Sequence, residues 1–170
     1  MKPLVVFEDV SFHYQAGNQA VIPAIRNVSL KVNEGEWVAI TGANGSGKST
    51  FARLACALLL PESGHVQVAG MDTRRSEHHA RIHATAGMVF QFPEDQIVST
   101  TVEEDVAFGP ENLALPPDEI RSRVEESLRE VGMWEARLRP PHLLSAGQIQ
   151  RGALAGVLAM SPKCIIFDEA

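Results

Sequence analysis

The chain has 170 residues, 45% of them hydrophobic, which fits one globular domain with a sizeable core. Its formal net charge is −6 and its sequence pI is about 5.5. This acidic balance argues against a nucleic-acid partner, because nucleic-acid-binding surfaces neutralise many phosphates with Lys and Arg.

Membrane segments and disulfides are not expected either. The apolar run within residues 1–8 is too short for a signal peptide, and no stretch approaches the roughly 18 to 20 apolar residues that span a bilayer. Cys56 and Cys164 fall in apolar segments, which predicts buried thiols in a reducing compartment. Any membrane role is therefore expected to come through a partner protein.

The first part of the chain is predicted to be rich in β-strands. Leu4–Tyr14 and Ile25–Val32 have the composition of strands and flank a polar loop that contains a glycine. Tyr14 ends the first strand beside this loop, so it is a candidate to stack on an adenine ring. The sequence is equally compatible with an aromatic side chain that packs on the core.

A strand, a glycine-rich loop and a helix are predicted over residues 37–59. Trp37–Thr41 indicates a short buried strand, and Ser49–Leu59 indicates a helix with one apolar side. Between them, Gly42–Ser49 matches the phosphate-binding pattern G-x-x-x-x-G-K-[ST] at every fixed position. This is the structural context that the pattern requires, so we predict that the loop binds the phosphates of a nucleotide.

The residue types in this loop suit a nucleoside triphosphate with magnesium. Glycines allow positive φ and bring successive N–H groups towards an anion, and the helix N-terminus adds its positive end. Lys48 is placed to reach the β- and γ-phosphates, and the Ser49 hydroxyl to ligate Mg²⁺. The candidate nucleotide-binding residues of the loop and the first helical turn are Gly42, Asn44, Gly45, Ser46, Gly47, Lys48, Ser49 and Thr50.

The polar segment Met71–Ala84 contains three histidines, His78, His79 and His83. Two histidines four residues apart can hold a metal on a helix, but no acidic or cysteine partner is in register with them. We therefore expect a solvated surface here and predict no metal site.

Gln91 ends the next predicted strand, Gly87–Phe90. Ligands of parallel sheets bind at the carboxyl ends of the strands, so Gln91 is a candidate to contact the magnesium or the attacking water. Residues 92–139 then contain the predicted helices Thr101–Gly109 and Asp118–Val131 and no obvious strand. A connection this long predicts a separate helical lobe.

A further helix is predicted to begin at Leu144–Gln148 and to be buried along Ile149–Met160. Ser145 and Gln148 have the spacing of a capping box, an ordinary structural role. A helix N-terminus with a free hydroxyl and a glycine is, however, also a candidate phosphate site.

Two adjacent carboxylates follow the last predicted strand. Cys164–Phe167 indicates a fully buried strand, and Asp168 and Glu169 come directly after it. This pair suits an Asp that binds magnesium and a Glu that polarises a water molecule.

In this order, the motifs resemble those of the nucleotide-binding subunit of an ATP-binding cassette (ABC) transporter. Gly42–Ser49 resembles its Walker A motif, Gln91 its Q-loop, Leu144–Gln148 its signature and Cys164–Glu169 its Walker B motif. Residues 90–112 are similar to the ATPases of energy-coupling factor (ECF) importers for vitamins and for cobalt or nickel.

The resemblance implies an α/β fold: a P-loop NTPase core of the ABC type, with an N-terminal β-subdomain and an inserted helical lobe, in one domain over residues 1–170. It implies that ATP and Mg²⁺ bind, with Glu169 and Gln91 as catalytic residues and Ser49, Gln91 and Asp168 as metal ligands. It also implies a second ATPase subunit, identical or paralogous, and integral membrane transporter components at the cytoplasmic face of the cell membrane. The signature residues that would act on the partner's nucleotide are Ser145, Ala146, Gly147 and Gln148.

This sequence departs from the family pattern in two places. Ala146 stands where the commonest signature has glycine, a change of one methyl group. The sequence also ends at Ala170, before the family's D-loop and switch histidine, so it is expected to be a fragment or to leave the usual site incomplete. The alternative functions are nucleotide binding without catalysis, a non-transport ABC ATPase and, more distantly, a P-loop kinase.

Overall fold

The computed structural model describes residues 2–15, 17 and 21–169, and the chain divides after residue 86 into two compact units. The predicted loop after Tyr14 includes residues 16 and 18–20, which lie outside the described residues. The strands are β1 (Pro3–Gln15), β2 (Val21–Asn33), β3 (Ser63–Val68), β4 (Met71–Asp72), β5 (Ala86–Val89) and β6 (Cys164–Phe167). The α-helices are α1 (Lys48–Ala55), α2 (His79–Thr85), α3 (Val102–Asn112), α4 (Pro117–Glu130) and α5 (Ala146–Ala159). Short 3₁₀ turns cover Ser76–His78, Pro93–Gln96, Trp134–Ala136 and Pro141–Leu143.

The first unit is built on a four-stranded sheet with the order β2-β1-β3-β4. The central strand β1 runs antiparallel to both neighbours, and Phe7 lies opposite Leu30 on one side and Val66 on the other. The Phe7 ring is buried and stacks on Phe51 of α1, with ring centroids 4.2 Å apart. This contact fixes the helix that follows the glycine-rich loop on one face of the sheet.

The prediction of a buried strand at Trp37–Thr41 was wrong. These residues are irregular and exposed, and the Trp37 side chain is 96% accessible. A strand is stable only when its N–H and C=O groups find a neighbouring strand. Neither sheet of the described residues includes residues 37–41, so the apolar composition alone does not make them a strand.

Helix α1 is shorter than the sequence predicts. It ends at Ala55 rather than at Leu59, because Ala57 adopts a left-handed φ of 60°. The N–H groups of Leu58 and Leu59 then both donate to the carbonyl of Arg53, at 2.9 and 3.2 Å. Leu58, predicted to lie on the apolar side of the helix, is exposed as a result.

The second unit combines a two-stranded sheet, β5 and β6, with helices α3, α4 and α5. The three helices enclose a core that includes Val106, Leu128, Met133 and Ala155. Strand β6 is only half-buried, with Phe167 51% accessible, so the prediction of full burial was wrong. In a sheet of two strands each strand has an unpaired edge, so part of its surface stays open.

Cys56 and Cys164 do not form a disulfide. Cys56 is buried and Cys164 is half-buried, and burial raises the pKa of the Cys164 thiol. Among the described residues, no helix has both the length and the apolar character of a membrane span.

Candidate nucleotide-binding site

The phosphate loop, Gly42–Ser49, passes directly into α1, which begins at Lys48. Gly45 and Gly47 have positive φ angles of 78° and 95°. Such left-handed residues between right-handed ones turn successive backbone N–H groups towards the same side, which makes a concave anion site. The N-terminus of α1 has no side-chain cap, and its positive end adds to the anion site of the loop.

Gly47 is required here for steric reasons as well as conformational ones. A Cβ at this position would collide with the backbone carbonyl of Ala24 on β2 and lie 3.1 Å from Cδ1 of Ile25. The sheet of the first unit therefore fixes the shape of the phosphate loop from behind.

The Lys48 side chain lies along the loop. Its Nζ donates to the carbonyls of Gly42 and Ala43, at 3.1 and 3.2 Å. These bonds place the ammonium group beside the loop backbone, where it adds a full positive charge to the concave N–H surface. The arrangement fits the phosphates of a nucleotide.

The other predicted residues of the first unit lie in or next to the loop. Asn44 and Ser46 are exposed, Ser49 is half-buried, and Thr50 is buried. The Tyr14 hydroxyl is hydrogen-bonded to the Thr50 hydroxyl at 3.1 Å, which ties the end of β1 to the start of α1. The Tyr14 ring remains 37% accessible. Its role in stacking on an adenine stays a prediction.

In the second unit, the structure brings Gln91 and Glu169 together. Gln91 Nε2 donates to Glu169 Oε2 at 2.7 Å, although the residues are 78 positions apart. The neighbouring Asp168 is anchored, because its N–H donates to the Val89 carbonyl at 3.0 Å and its side chain is buried. Glu169 itself has a left-handed φ of 55°, an uncommon conformation for a residue with a side chain.

The predicted signature forms the exposed N-terminus of α5. The capping box is confirmed: Ser145 Oγ accepts from the N–H of Gln148 at 3.3 Å, and Ser145 N–H donates to Gln148 Oε1 at 3.0 Å. Ala146 and Gly147 are exposed. A Cβ on Gly147 would meet nothing within 4 Å, so nothing in the described structure demands a glycine at this position.

The histidines of residues 78–83 bond mainly to the backbone. Ring nitrogens of His78 and His79 lie 3.1 and 2.7 Å from the carbonyls of Asp72 and Thr73. The pKa of His83 is lowered by burial and by the neighbouring His79. Within the described part of the chain, no group of three or more His, Cys, Asp or Glu side chains converges in a way that could hold a metal.

Gln96 lies outside the residues that the sequence motifs single out. Its side-chain amide bonds to the backbone of Met88 and Phe90, on the strand that leads to Gln91. No spacing pattern reveals such a contact, because it depends on how the 3₁₀ turn Pro93–Gln96 folds back on the strand.

The comparisons with known proteins identify the family. A family model described as ABC transporter matches residues 25–170. The chain belongs to this family. The predicted resemblance to ABC ATP-binding subunits, and with it the α/β fold of a P-loop NTPase core, is thereby confirmed.

Two curated relatives of this ABC-family chain show how the similarity is distributed. It is 56% identical over 170 residues to the energy-coupling factor transporter ATP-binding protein EcfA1 of Clostridioides difficile, covering 100% of this chain and 61% of the relative. It is 48% identical over 166 residues to the cobalt import ATP-binding protein CbiO of Syntrophus aciditrophicus, covering 98% of this chain and 58% of the relative. The chain thus spans about 60% of the length of these relatives.

Solved structures agree with this placement in the ABC family. CbiO1 from Clostridium perfringens, described as part of the ABC transporter complex CbiONQ, is 34% identical with a TM-score of 0.83, over 98% of this chain and 65% of that one. The ATP-binding cassette MJ0796, solved as a dimer in a post-hydrolysis state bound to ADP and Pi, is 31% identical with a TM-score of 0.85, over 96% of this chain and 73% of that one.

Proposed function

We propose that this chain is the nucleotide-binding part of an ATPase subunit that energises a membrane importer. The observation that carries the proposal is the phosphate loop, in which Gly47 is pinned against β2 and the Lys48 ammonium lies beside the loop backbone. In the proposed complex, ATP is bound by Gly42 and by Asn44 to Thr50, in the loop and the first helical turn, and its adenine stacks on Tyr14.

The proposed magnesium ligands are Ser49, Gln91 and Asp168. These side chains offer hydroxyl, amide and carboxylate oxygens, the ligands that Mg²⁺ takes. Asp168 supplies the carboxylate of this set, and its backbone is anchored to strand β5 through the carbonyl of Val89. When bound, the ion would neutralise charge on the phosphates.

Hydrolysis is assigned to Glu169 with Gln91. The Glu169 carboxylate accepts a proton from the attacking water while the water oxygen bonds to the γ-phosphorus and the bond from that phosphorus to the bridging oxygen of ADP breaks. The hydrogen bond from Gln91 to Glu169 supports this assignment, because it holds the carboxylate in one orientation.

The second phosphate site is proposed to act on the nucleotide of a partner subunit in a head-to-tail dimer, in which the partner is a second copy or a paralogue. Ser145, Ala146 and Gly147 are exposed at a helix N-terminus, where N–H groups and a hydroxyl suit an anion. The dimeric state of MJ0796 supports this arrangement.

The membrane partner is proposed to be an importer for a vitamin or for cobalt or nickel. The support is the naming of the relatives EcfA1 and CbiO, together with the match of residues 25–170 to the family. The subunit would then be peripheral, at the cytoplasmic face of the cell membrane. Within one nucleotide-binding domain, the helical lobe of residues 92–139 is proposed to be a separate element.

The test is uptake by the full-length protein, assembled with its membrane components in lipid vesicles. We expect ATP-dependent accumulation of either a labelled vitamin or a labelled Co²⁺ or Ni²⁺ ion, and no accumulation with Lys48→Ala. Lys31→Ala, on the exposed part of β2, is the matched control and should transport normally. ATP hydrolysis without uptake of any of these solutes would contradict the importer assignment.

A further inference from the structure

Strand β5 has two edges, and only one of them is bonded to β6. The Val89 carbonyl accepts from the N–H of Asp168 at 3.0 Å on that edge. Backbone groups of successive strand residues point to opposite edges. The carbonyl of Met88 and the N–H of Phe90 therefore face the other edge, which is not bonded to any strand in the described sheet.

The side-chain amide of Gln96 bonds to this second edge. Gln96 Oε1 accepts from the N–H of Phe90 at 3.2 Å, and Gln96 Nε2 donates to the carbonyl of Met88 at 3.3 Å. A primary amide has one acceptor and one donor side by side, as a peptide group has. Gln96 thus bonds to this edge of β5 in the way that a peptide group of a neighbouring strand would.

These bonds close a loop around Gln91. The loop leaves β5 at Phe90, turns through the 3₁₀ segment Pro93–Gln96, and returns to the strand through the Gln96 side chain. Beyond it, the Asp105 carboxylate on α3 accepts from the N–H groups of Val98 and Ser99, at 2.8 and 3.2 Å. The segment that carries Gln91 is therefore fastened to β5 at one end and to α3 at the other.

We propose that Gln96 is a positioning residue for ATP hydrolysis. It fixes the backbone at Phe90, and so holds the side chain of Gln91 at 2.7 Å from Glu169. Gln96 acts through Gln91 and does not touch the nucleotide. This inference rests on the proposed function, because it presumes that Gln91 and Glu169 serve hydrolysis.

The first test is steady-state ATP hydrolysis by the full-length protein with Gln96→Met, which keeps the side-chain length and removes both hydrogen bonds. We expect kcat to fall about 10- to 100-fold, since small displacements of a catalytic group have effects of this size. KM for ATP should stay within about threefold, because the phosphate loop is unchanged. Gln96→Glu retains the acceptor for Phe90 N–H and should give an intermediate kcat. Gln67→Met, at an exposed position of β3, is the matched control and should leave kcat unchanged.

The second test separates positioning from general weakening of the structure. In a Gln91→Ala background, Gln96→Met should change kcat by less than about threefold, because the residue through which it acts is already gone. An undiminished kcat in Gln96→Met, or an equal loss of kcat with and without Gln91, would overturn this inference alone. If the unaltered protein shows no ATP hydrolysis, or only hydrolysis that Lys48→Ala leaves unchanged, the proposed function is overturned. This inference is then overturned with it.

Discussion

Two helix N-termini of this chain are candidates for binding phosphate, and they are built differently. Before α1, the backbone passes through left-handed glycines and no side chain caps the helix. Before α5, Ser145 is an extended N-cap residue, and the reciprocal capping box with Gln148 satisfies the first N–H groups locally.

The two glycines at these sites show the difference. Gly47 is held against the carbonyl of Ala24, whereas a Cβ on Gly147 would meet nothing within 4 Å. The first site is thus shaped by the core of its own unit and needs only a ligand. The second is an ordinary helix cap in the structure of this chain, and its proposed role depends on a group from outside it.

Of the substitutions that distinguish the two helix N-termini, the one that removes the Lys48 ammonium group should have the largest effect. Lys48→Ala should weaken ATP binding about 100-fold or more, because it removes the cation that we propose to contact the phosphates. Isothermal titration with ATP measures this, with Lys31→Ala as the control that loses an exposed ammonium elsewhere. Equal affinity in the two variants would remove Lys48 from the site.

A methyl group added to each glycine tests the comparison directly. Gly47→Ala should destabilise the protein by about 2 to 4 kcal/mol, because alanine is strained at a φ of 95° and its Cβ collides with β2. Gly147→Ala should change the free energy of unfolding by less than about 1 kcal/mol and in the stabilising direction. Urea unfolding of both variants measures this. Similar losses would show that the second glycine is also constrained by the fold.

Ser145 can be changed so that its cap survives and its proposed phosphate contact does not. Aspartate is as good an N-cap as serine, so the free energy of unfolding of Ser145→Asp should lie within about 1 kcal/mol of that of the unaltered protein. Its charge should repel a phosphate and lower ATP hydrolysis about 100-fold, while ATP still binds to the subunit. Full hydrolysis in Ser145→Asp would mean that Ser145 is only a cap.

The smallest expected effect is on the pH dependence of stability, which should differ between the capping box of α5 and the capping box of α3. There, Glu104 accepts from the Thr100 hydroxyl at 2.6 Å and from the Thr101 N–H at 3.2 Å, and these bonds lower the pKa of its carboxyl group. A lowered pKa in the folded state gives stability that is present above the unfolded pKa of about 4.5 and is lost as the pH falls through the folded pKa.

In Glu104→Gln, the free energy of unfolding measured with urea should therefore depend less on pH below about 4.5. Gln148→Glu should introduce such a dependence at α5, where the neutral amide gives none. If the free energy of unfolding of Glu104→Gln depends on pH as in the unaltered protein, the pH dependence does not come from the Glu104 carboxyl group.

Local patterns predicted much of this molecule, and contacts between distant residues account for the rest. The capping box of Ser145 depends on neighbours in sequence and is present. The predicted strands Leu4–Tyr14 and Ile25–Val32 are also present, and they pair with each other. The prediction of a strand at Trp37–Thr41 was wrong because strand pairing is a property of the whole sheet. Gln91 and Glu169 were singled out separately, but only the fold shows that they share a hydrogen bond.

We propose that ATP binding and ATP hydrolysis depend on different groups, binding on the phosphate loop and hydrolysis on Glu169. Glu169→Gln removes the proposed base and keeps the side-chain shape, so the most direct measurement is ATP affinity beside ATP turnover in this variant of the full-length protein. We predict an ATP dissociation constant within about threefold of the unaltered protein and a turnover lowered by about 10² to 10⁴. Turnover that survives the substitution, or affinity lost together with turnover, would contradict this division.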